Sequence, residues 1–259
     1  MTGRRLRREW WVTAAAFALG LSAVVVVLRR SVGASAAGLW LLGAGTVAGY
    51  QLWFLRSTLG ENHPAADGGR EHGLLSTLGV ANAVTLGRGW LFAGVAGFVL
   101  VVPPAGSGWR WVPAVWYGGG IALDWVDGAL ARSVGQQTDL GERLDMAFDT
   151  VGFLVAPLVG VVWGRLPLWY LSISAARYLF KAGRGWRRLR RRPVYDLPPS
   201  RVRRPLAALQ MLFIATALVP VVPASVLVPL AAVVVTPSLA VFARDYLVVA
   251  GHLDADGRA

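Results

Sequence analysis

Four aspartates in an otherwise apolar part of the sequence are spaced so that they can act together. Asp124 and Asp127 are three residues apart and Asp145 and Asp149 are four apart, so each pair lies on one face of its helix. The segment between the pairs contains glycines and a polar run, which allow the chain to bend. Two antiparallel helices would then bring four carboxylates together. Carboxylates in or beside a bilayer need a partner, and a bound cation is the natural one.

The composition excludes an ordinary soluble protein and predicts an all-α integral membrane protein. Of the 259 residues, 55% are hydrophobic, and the mean hydropathy is +0.52. A helix needs about 20 apolar residues to cross the hydrocarbon core of a membrane. On this basis we predict a two-helix N-terminal hairpin followed by a six-helix transmembrane core. The eight expected spans are 10–28, 33–55, 84–102, 111–132, 142–163, 166–181, 205–221 and 225–248.

The basic residues are concentrated where the loops on one side of the membrane should lie. With the N-terminus in the cytoplasm, that side holds the arginines of residues 4–8 and ten basic residues in Lys181–Arg204. The opposite side receives only Arg29, Arg30, Arg110 and Arg165. Membrane topology therefore accounts for the net charge of +12, and no nucleic-acid partner is expected. The same topology places the four aspartates at the cytoplasmic surface of a multi-pass protein of the cell membrane.

The predicted organisation has four regions. Residues 1–56 form the transmembrane hairpin, 57–81 a polar cytoplasmic connection, 82–250 the six-span core, and 251–259 a cytoplasmic tail. The first span also resembles a signal peptide, because Ala34-Ser35-Ala36 follows it, but its apolar stretch of 19 residues favours a retained helix. The absence of cysteine excludes thiolate metal ligands.

The residues around the aspartates form a longer pattern, D-x2-D-G-x2-A-R-x8-G-x3-D-x3-D. Its positions are filled by Asp124, Asp127, Gly128, Ala131, Arg132, Gly141, Asp145 and Asp149. The pattern resembles the signature of the CDP-alcohol phosphotransferase family at all eight positions. Asn82, Thr85 and Arg88 resemble the N-x2-T-x2-R entry to the first core helix of that family. The resemblance covers about residues 80–250 and does not include the N-terminal hairpin.

The resemblance implies a role for each matching residue. Asp124, Asp127 and Asp145 would bind two divalent ions, and Asp149 would be the general base and a further metal contact. Oxygen ligands without nearby cysteine or histidine favour Mg²⁺ or Mn²⁺. Gly128 and Ala131 would leave room for the cytidine nucleotide, and Gly141 would allow two helices to approach closely. The expected phosphate contacts are Arg132, Asn82, Thr85 and Arg88.

Arginines near the sixth and seventh spans are candidates for a second phosphate site. Arg177 interrupts an apolar stretch, and Arg201, Arg203 and Arg204 lie just before the seventh span. We expect Arg177, Arg201 and Arg204 to contact a phosphorylated acceptor or the lipid diphosphate, since arginine binds phosphate bidentately. Anchoring against anionic headgroups is the alternative interpretation. The family often carries Gly-Lys and Lys-Thr in this stretch, where this chain has Arg203-Arg204 and Leu206-Ala207.

The resemblance implies transfer of a phosphatidyl-type group from a CDP-linked lipid to an alcohol, with release of CMP. The lipid would be CDP-diacylglycerol or its ether equivalent, and the acceptor a small alcohol or phosphoalcohol. Two alternatives stay open at this point: a soluble CDP-alcohol as donor within the same family, or a cation-coupled membrane transporter built on the aspartates. The resemblance also implies a homodimer.

Overall fold

Eight α-helices make up nearly all of the protein that the structure describes. The structure is a computed structural model, and it describes residues 2–64, 73–134, 138–197 and 200–253, without the side chains of residue 2 and residues 126–134. The helices are α1 (Thr2–Ser31), α2 (Ala34–Thr58), α3 (Gly79–Gly97), α4 (Val112–Val134), α5 (Asp139–Val162), α6 (Ser172–Leu189), α7 (Arg203–Leu218) and α8 (Ala224–Val249). The all-α prediction is therefore confirmed, and each helix overlaps one of the eight predicted segments.

Two helix boundaries differ from the hydropathy prediction in an instructive way. Helix α1 begins at Thr2 and includes the basic leader, and α6 continues to Leu189 through several arginines. Arginine has a high helix propensity, whereas a hydropathy window registers only apolar residues. The apolar windows therefore marked the parts of these helices suited to lipid and missed their charged ends.

Several helices have the length and composition needed to cross a membrane. Among the described residues, Gly3–Ser31, Asp139–Val162 and Ala224–Val249 are long and apolar enough to do so. Large apolar side chains such as Leu19, Trp53, Leu212 and Val233 are exposed on the helices. Such surfaces suit lipid contact, and the long apolar helices indicate a multi-pass membrane protein.

The first of two compact units comprises Met1–Val159 and is organised around α3. Helices α1 and α2 form an antiparallel pair, since the Trp10 indole near the start of α1 donates to the carbonyl of Leu52 near the end of α2. Glycines allow α4 and α5 to approach α3 closely. The ring of Phe92 on α3 lies against Gly120 of α4 and Gly152 of α5, where an added Cβ would lie 2.5 Å and 2.8 Å from ring atoms.

The second unit comprises Gly160–Ala259 and contains α6, α7 and α8. Its loops are held by arginines that satisfy carbonyl groups at helix ends, which an α-helix leaves without partners. At and just after the end of α7, Arg165 donates to the carbonyls of Ala217, Val219 and Val222 at 2.5, 2.5 and 2.7 Å. Arg187 donates to the carbonyl of Ala250 at the end of α8. These arginines were predicted to lie in loops, and in the structure they hold the loops of this unit against the helix ends.

Candidate metal centre

Three carboxylates from two helices converge in the first unit. Asp124 lies on α4, and Asp145 and Asp149 lie one turn apart on α5. Each offers one oxygen atom, and these oxygens all lie within 4.8 Å of one another. Of the four aspartates in the predicted cluster, the structure thus brings three together. Asp127 is on α4, but its side chain lies outside the described part of the chain, as do those of Gly128, Ala131 and Arg132.

The character of these carboxylates fits a divalent cation. Their side chains are 34%, 42% and 21% exposed for Asp124, Asp145 and Asp149, so the oxygens are partly screened but open to a ligand. A set of hard oxygen donors that converge on one point is what Mg²⁺ and Mn²⁺ prefer. The cluster is therefore consistent with a metal site, and the identity of the metal stays a prediction.

Arg88 on α3 is the counterion of this cluster. Its side chain is 1% exposed. Nη1 contacts Asp124, and Nη2 contacts Asp145 and lies 3.3 Å from Oδ1 of Asp149. One guanidinium faces three carboxylates, which leaves a formal charge of −2 among the described groups, the charge that one divalent ion balances. From its place in the sequence pattern, Arg88 was expected to contact phosphate. The structure places it on the aspartates, and a phosphate contact from there stays a prediction.

Asn82 connects the start of α3 to the start of α5. Its side chain is buried, and its Nδ2 donates to the carbonyl of Leu78 at 2.8 Å and to Oγ1 of Thr138 at 3.2 Å. Thr138 is the N-cap of α5, since its Oγ1 accepts from the backbone N–H of Gly141 at 2.9 Å. A Cβ on Gly141 would lie 2.6 Å from Oδ1 of Asn82. Helices α3 and α5 therefore meet here through an amide, a hydroxyl and a glycine.

Thr85 is buried one turn after Asn82. Its hydroxyl lies 3.3 Å from the carbonyl of Ala81 in its own helix. The structure thus places Asn82, Thr85 and Arg88 on the side of α3 that is buried in the first unit, with Arg88 on the carboxylates. The phosphate contacts expected of Asn82 and Thr85 stay predictions.

The segment after α2 also reaches the start of α5. The carbonyl of His63 accepts from the N–H of Asp139 at 3.1 Å, and Pro64 and Thr138 form an isolated β-bridge. The role of Thr138 was not among the sequence predictions. A usable signal was present, because a threonine followed by Asp139 and Glu142 in the first helical turn is typical of a helix start.

The arginines expected at a second phosphate site belong to the second unit. Arg177 is half-buried on α6, whereas Arg201 and Arg204 are exposed. Arg203 forms a bidentate ion pair with Asp245 of α8, with N···O distances of 2.6 and 3.1 Å. Asp245 is buried, and the sequence analysis did not anticipate it. Asp245 neutralises the charge of Arg203, whereas the charge of the next residue, Arg204, is exposed.

The helical fold and the carboxylate cluster agree with the family that the sequence pattern resembles. The family model for CDP-alcohol phosphatidyltransferase matches residues 78–238, well over half of the chain. The protein therefore belongs to the CDP-alcohol phosphatidyltransferase family of enzymes. The matched region contains every described carboxylate of the cluster and begins after the N-terminal hairpin.

Curated relatives resemble part of this region. Proteins of Mycobacterium tuberculosis and Mycobacterium bovis named "Putative cardiolipin synthase" are 33% identical over 90 residues, which is 34% of this chain and 42% of theirs. The match thus spans less than half the length of these relatives. No solved structure gives a significant match to the chain.

Proposed function

We propose that the protein transfers a phosphatidyl-type group from a CDP-linked lipid to an alcohol acceptor and releases CMP. The donor is CDP-diacylglycerol or its ether equivalent. The observation that carries the proposal is the convergence of Asp124, Asp145 and Asp149 within 4.8 Å, inside the region that matches the family. The long apolar helices support a substrate whose tails stay in the membrane while its nucleotide reaches the carboxylates.

Asp124, Asp127, Asp145 and Asp149 would hold two Mg²⁺ or Mn²⁺ ions. Bound there, the ions supply neutralisation of the diphosphate charge and stabilisation of the leaving CMP. Three of these carboxylates already face a common point, and Asp127 stands one helical turn from Asp124 on α4. The net negative charge left by Arg88 favours cation binding.

Asp149 is the proposed general base. It is the least exposed of the three described carboxylates, and Arg88 lies close to all three. In the proposed reaction the acceptor hydroxyl gives its proton to Asp149, and its oxygen forms a bond to the phosphorus that carries the lipid. The bond between that phosphorus and the oxygen of CMP breaks at the same time. CMP leaves with that oxygen, so atoms and charge balance.

The remaining sequence predictions describe the substrates around this centre. Gly128 and Ala131 leave space for the cytidine, and Arg132 contacts a phosphate of the donor together with Asn82, Thr85 and Arg88. Arg177, Arg201 and Arg204 bind the phosphate of the acceptor or of the lipid. In this proposal the protein crosses the membrane about eight times, and its basic loops keep the metal centre on the cytoplasmic side. Two copies of the chain form a homodimer.

The names of the curated relatives add one acceptor to consider. A cardiolipin synthase of this chemistry uses a lipid alcohol, so phosphatidylglycerol belongs in the acceptor panel beside glycerol phosphate, inositol phosphate and serine. A soluble CDP-alcohol is the alternative donor. Both questions are answered by the same assay of products.

The test is CMP release by purified protein in lipid vesicles with CDP-diacylglycerol, Mn²⁺ and the acceptor panel. We expect CMP release that depends on one acceptor and that Asp149→Asn abolishes. Asp139→Asn is the matched control, because Asp139 is an exposed aspartate at the start of the same helix and outside the cluster. CMP release that survives in Asp149→Asn would contradict the assignment of the base. Protein that binds Mn²⁺ but releases no CMP with any acceptor would point to another CDP-alcohol donor, and Mn²⁺ uptake into the vesicles to a transporter.

A further inference from the structure

One buried amide connects the N-terminal hairpin to the metal centre. Gln51 lies on α2, outside the region that matches the family, and its side chain is 0% exposed. Its Nε2 donates to the backbone carbonyl of Gly89 on α3 at 2.9 Å. Gly89 directly follows Arg88, whose guanidinium contacts the carboxylates. The amide is therefore bound to the backbone one residue from the counterion of the cluster.

Gly89 is also the point where a third helix joins. A Cβ at this position would lie 2.6 Å from Cδ2 of Phe148 on α5 and 3.3 Å from Nε2 of Gln51. Phe148 is completely buried and stands between Asp145 and Asp149 in sequence. The amide of α2 and the ring of α5 thus press against the same glycine of α3. Both contacts therefore bear on how closely α3 approaches the helix that carries two of the carboxylates.

Packing alone does not explain a glutamine here. Oε1 of Gln51 is buried and has no hydrogen-bond partner among the described residues, and the same holds for Nε of Arg88. A buried polar atom without a partner costs about 1–3 kcal/mol, so an apolar side chain would fill this position at lower cost. The feature that an apolar residue lacks is the directional bond to the Gly89 carbonyl.

We propose that Gln51 is a positioning residue for the metal centre. Its bond to Gly89, together with the contact of Phe148 with the same glycine, sets the position of α3 against α5 and thereby keeps Asp145 and Asp149 close to Asp124. The hydrogen bond of Gln51 goes to the backbone of α3, and Gln51 takes no part in the chemistry. The inference rests on the proposed metal site, and it gives the N-terminal hairpin a function as a support for the catalytic helices.

The test compares two substitutions on α2 that remove the same type of bond. Gln51→Met keeps the length of the side chain but cannot donate to Gly89. Trp40→Phe is the matched control, because Trp40 is also buried on α2 and its Nε1 donates to the carbonyl of Gly94 on α3 at 3.1 Å. Gly94 is six residues beyond Arg88, almost two helical turns away. Mn²⁺ affinity is measured by titration without donor or acceptor, and the melting temperature is measured beside it.

We expect Gln51→Met to weaken Mn²⁺ binding about tenfold, the effect of losing an outer-shell support of a metal site. Trp40→Phe should lower the melting temperature and leave Mn²⁺ affinity unchanged. Gln51→Leu is the second variant and should reproduce the loss if Gln51→Met does not fold.

The inference is wrong if a folded Gln51 variant binds Mn²⁺ as tightly as the wild type. It is also wrong if Trp40→Phe weakens Mn²⁺ binding as much as the Gln51 variants do. It is abandoned as well if neither Gln51 variant yields folded protein with reduced Mn²⁺ affinity. A wild-type protein that binds Mn²⁺ but releases no CMP would refute the proposed reaction and leave this inference standing. A wild-type protein that binds no Mn²⁺ would refute both.

Discussion

Nη2 of Arg88 on α3 lies 3.3 Å from Oδ1 of Asp149 on α5, with the Arg88 side chain 1% exposed. The same guanidinium contacts Asp124 and Asp145, so a single buried cation joins three helices at the carboxylate cluster. This relationship makes Arg88 part of the electrostatics of the metal centre. It also makes the stability of the first unit depend on the charge at that point.

Replacement of Arg88 by glutamine should destabilise the metal-free protein. Three carboxylates would lose their counterion, and we expect a loss of about 1–3 kcal/mol, less than for a fully buried pair because the carboxylates are partly exposed. Mn²⁺ would replace the lost positive charge, so the melting temperature of Arg88→Gln should rise more on addition of Mn²⁺ than that of the wild type. Thermal unfolding in EDTA and in Mn²⁺ measures both effects.

The control for that experiment is Arg143→Gln. Arg143 is an exposed arginine on α5 that pairs with Glu61 at 2.7 Å, and a surface pair of this kind contributes about 0–1 kcal/mol. An Arg88→Gln protein with the same stability and Mn²⁺ response as Arg143→Gln would show that Arg88 is not the counterion of the centre.

Asp145→Asn and Asp149→Asn should each lose CMP release, but for different reasons. Asp145 is proposed only as a metal ligand, so a higher Mn²⁺ concentration should recover part of its activity. Asp149 is also the proposed base, and loss of a general base lowers the rate by about 10²–10⁴-fold whatever the metal concentration. CMP release measured across a Mn²⁺ series distinguishes them. Equal recovery of activity in both variants at high Mn²⁺ would show that Asp149 is a metal ligand and not the general base.

Gly141→Ala should separate α3 from α5. The added Cβ would lie 2.6 Å from Oδ1 of Asn82 and 3.0 Å from Oγ1 of Thr138, and both atoms belong to buried side chains that hold the start of α5. We expect a loss of about 1–3 kcal/mol in the free energy of unfolding, as for other overpacked positions. Weaker Mn²⁺ binding should accompany it, because Asp145 follows one turn later.

Gly87→Ala provides the matched control on α3. A Cβ at Gly87 would meet no atom within 4 Å, so the higher helix propensity of alanine should leave stability unchanged or raise it by up to about 1 kcal/mol. If Gly141→Ala proved as stable as Gly87→Ala, the close helix approach would not be needed. Denaturant unfolding of the two variants side by side makes the comparison.

Substitution of Arg203 should lower the stability of the protein, whereas substitution of its neighbour Arg204 should weaken substrate binding. Arg203 holds the buried Asp245 through two hydrogen bonds, so Arg203→Gln should destabilise the second unit by about 1–3 kcal/mol. Arg204 is exposed, and Arg204→Gln should leave the melting temperature unchanged and raise the KM for a phosphorylated acceptor. Melting temperatures and acceptor titrations of both variants test the pair of statements. An unchanged KM in Arg204→Gln would favour membrane anchoring.

Much of the helical architecture was predictable because its signals are local. Apolar runs of sufficient length predicted eight helices, and all eight overlap helices of the structure. The spacing of Asp145 and Asp149 required one helical face, and the antiparallel arrangement with α4 predicted that Asp124 would join them. The charged ends of α1 and α6 were missed, because arginine supports a helix without contributing hydropathy.

The sequence by itself determined that the chain is helical, that it is suited to a membrane, and that its aspartates have the spacing of a recognisable family. These properties follow from periodicity and from residue types a few positions apart. Only the tertiary structure decided that Arg88 neutralises the cluster, that Asp245 holds Arg203, and that Gln51 reaches the carbonyl of Gly89. The contacts Arg88–Asp124, Gln51–Gly89 and Arg203–Asp245 join residues 36, 38 and 42 positions apart, and Arg88–Asp145 joins residues 57 apart. Such contacts depend on how side chains of different helices fit together, and a local pattern in the sequence carries no record of that fit.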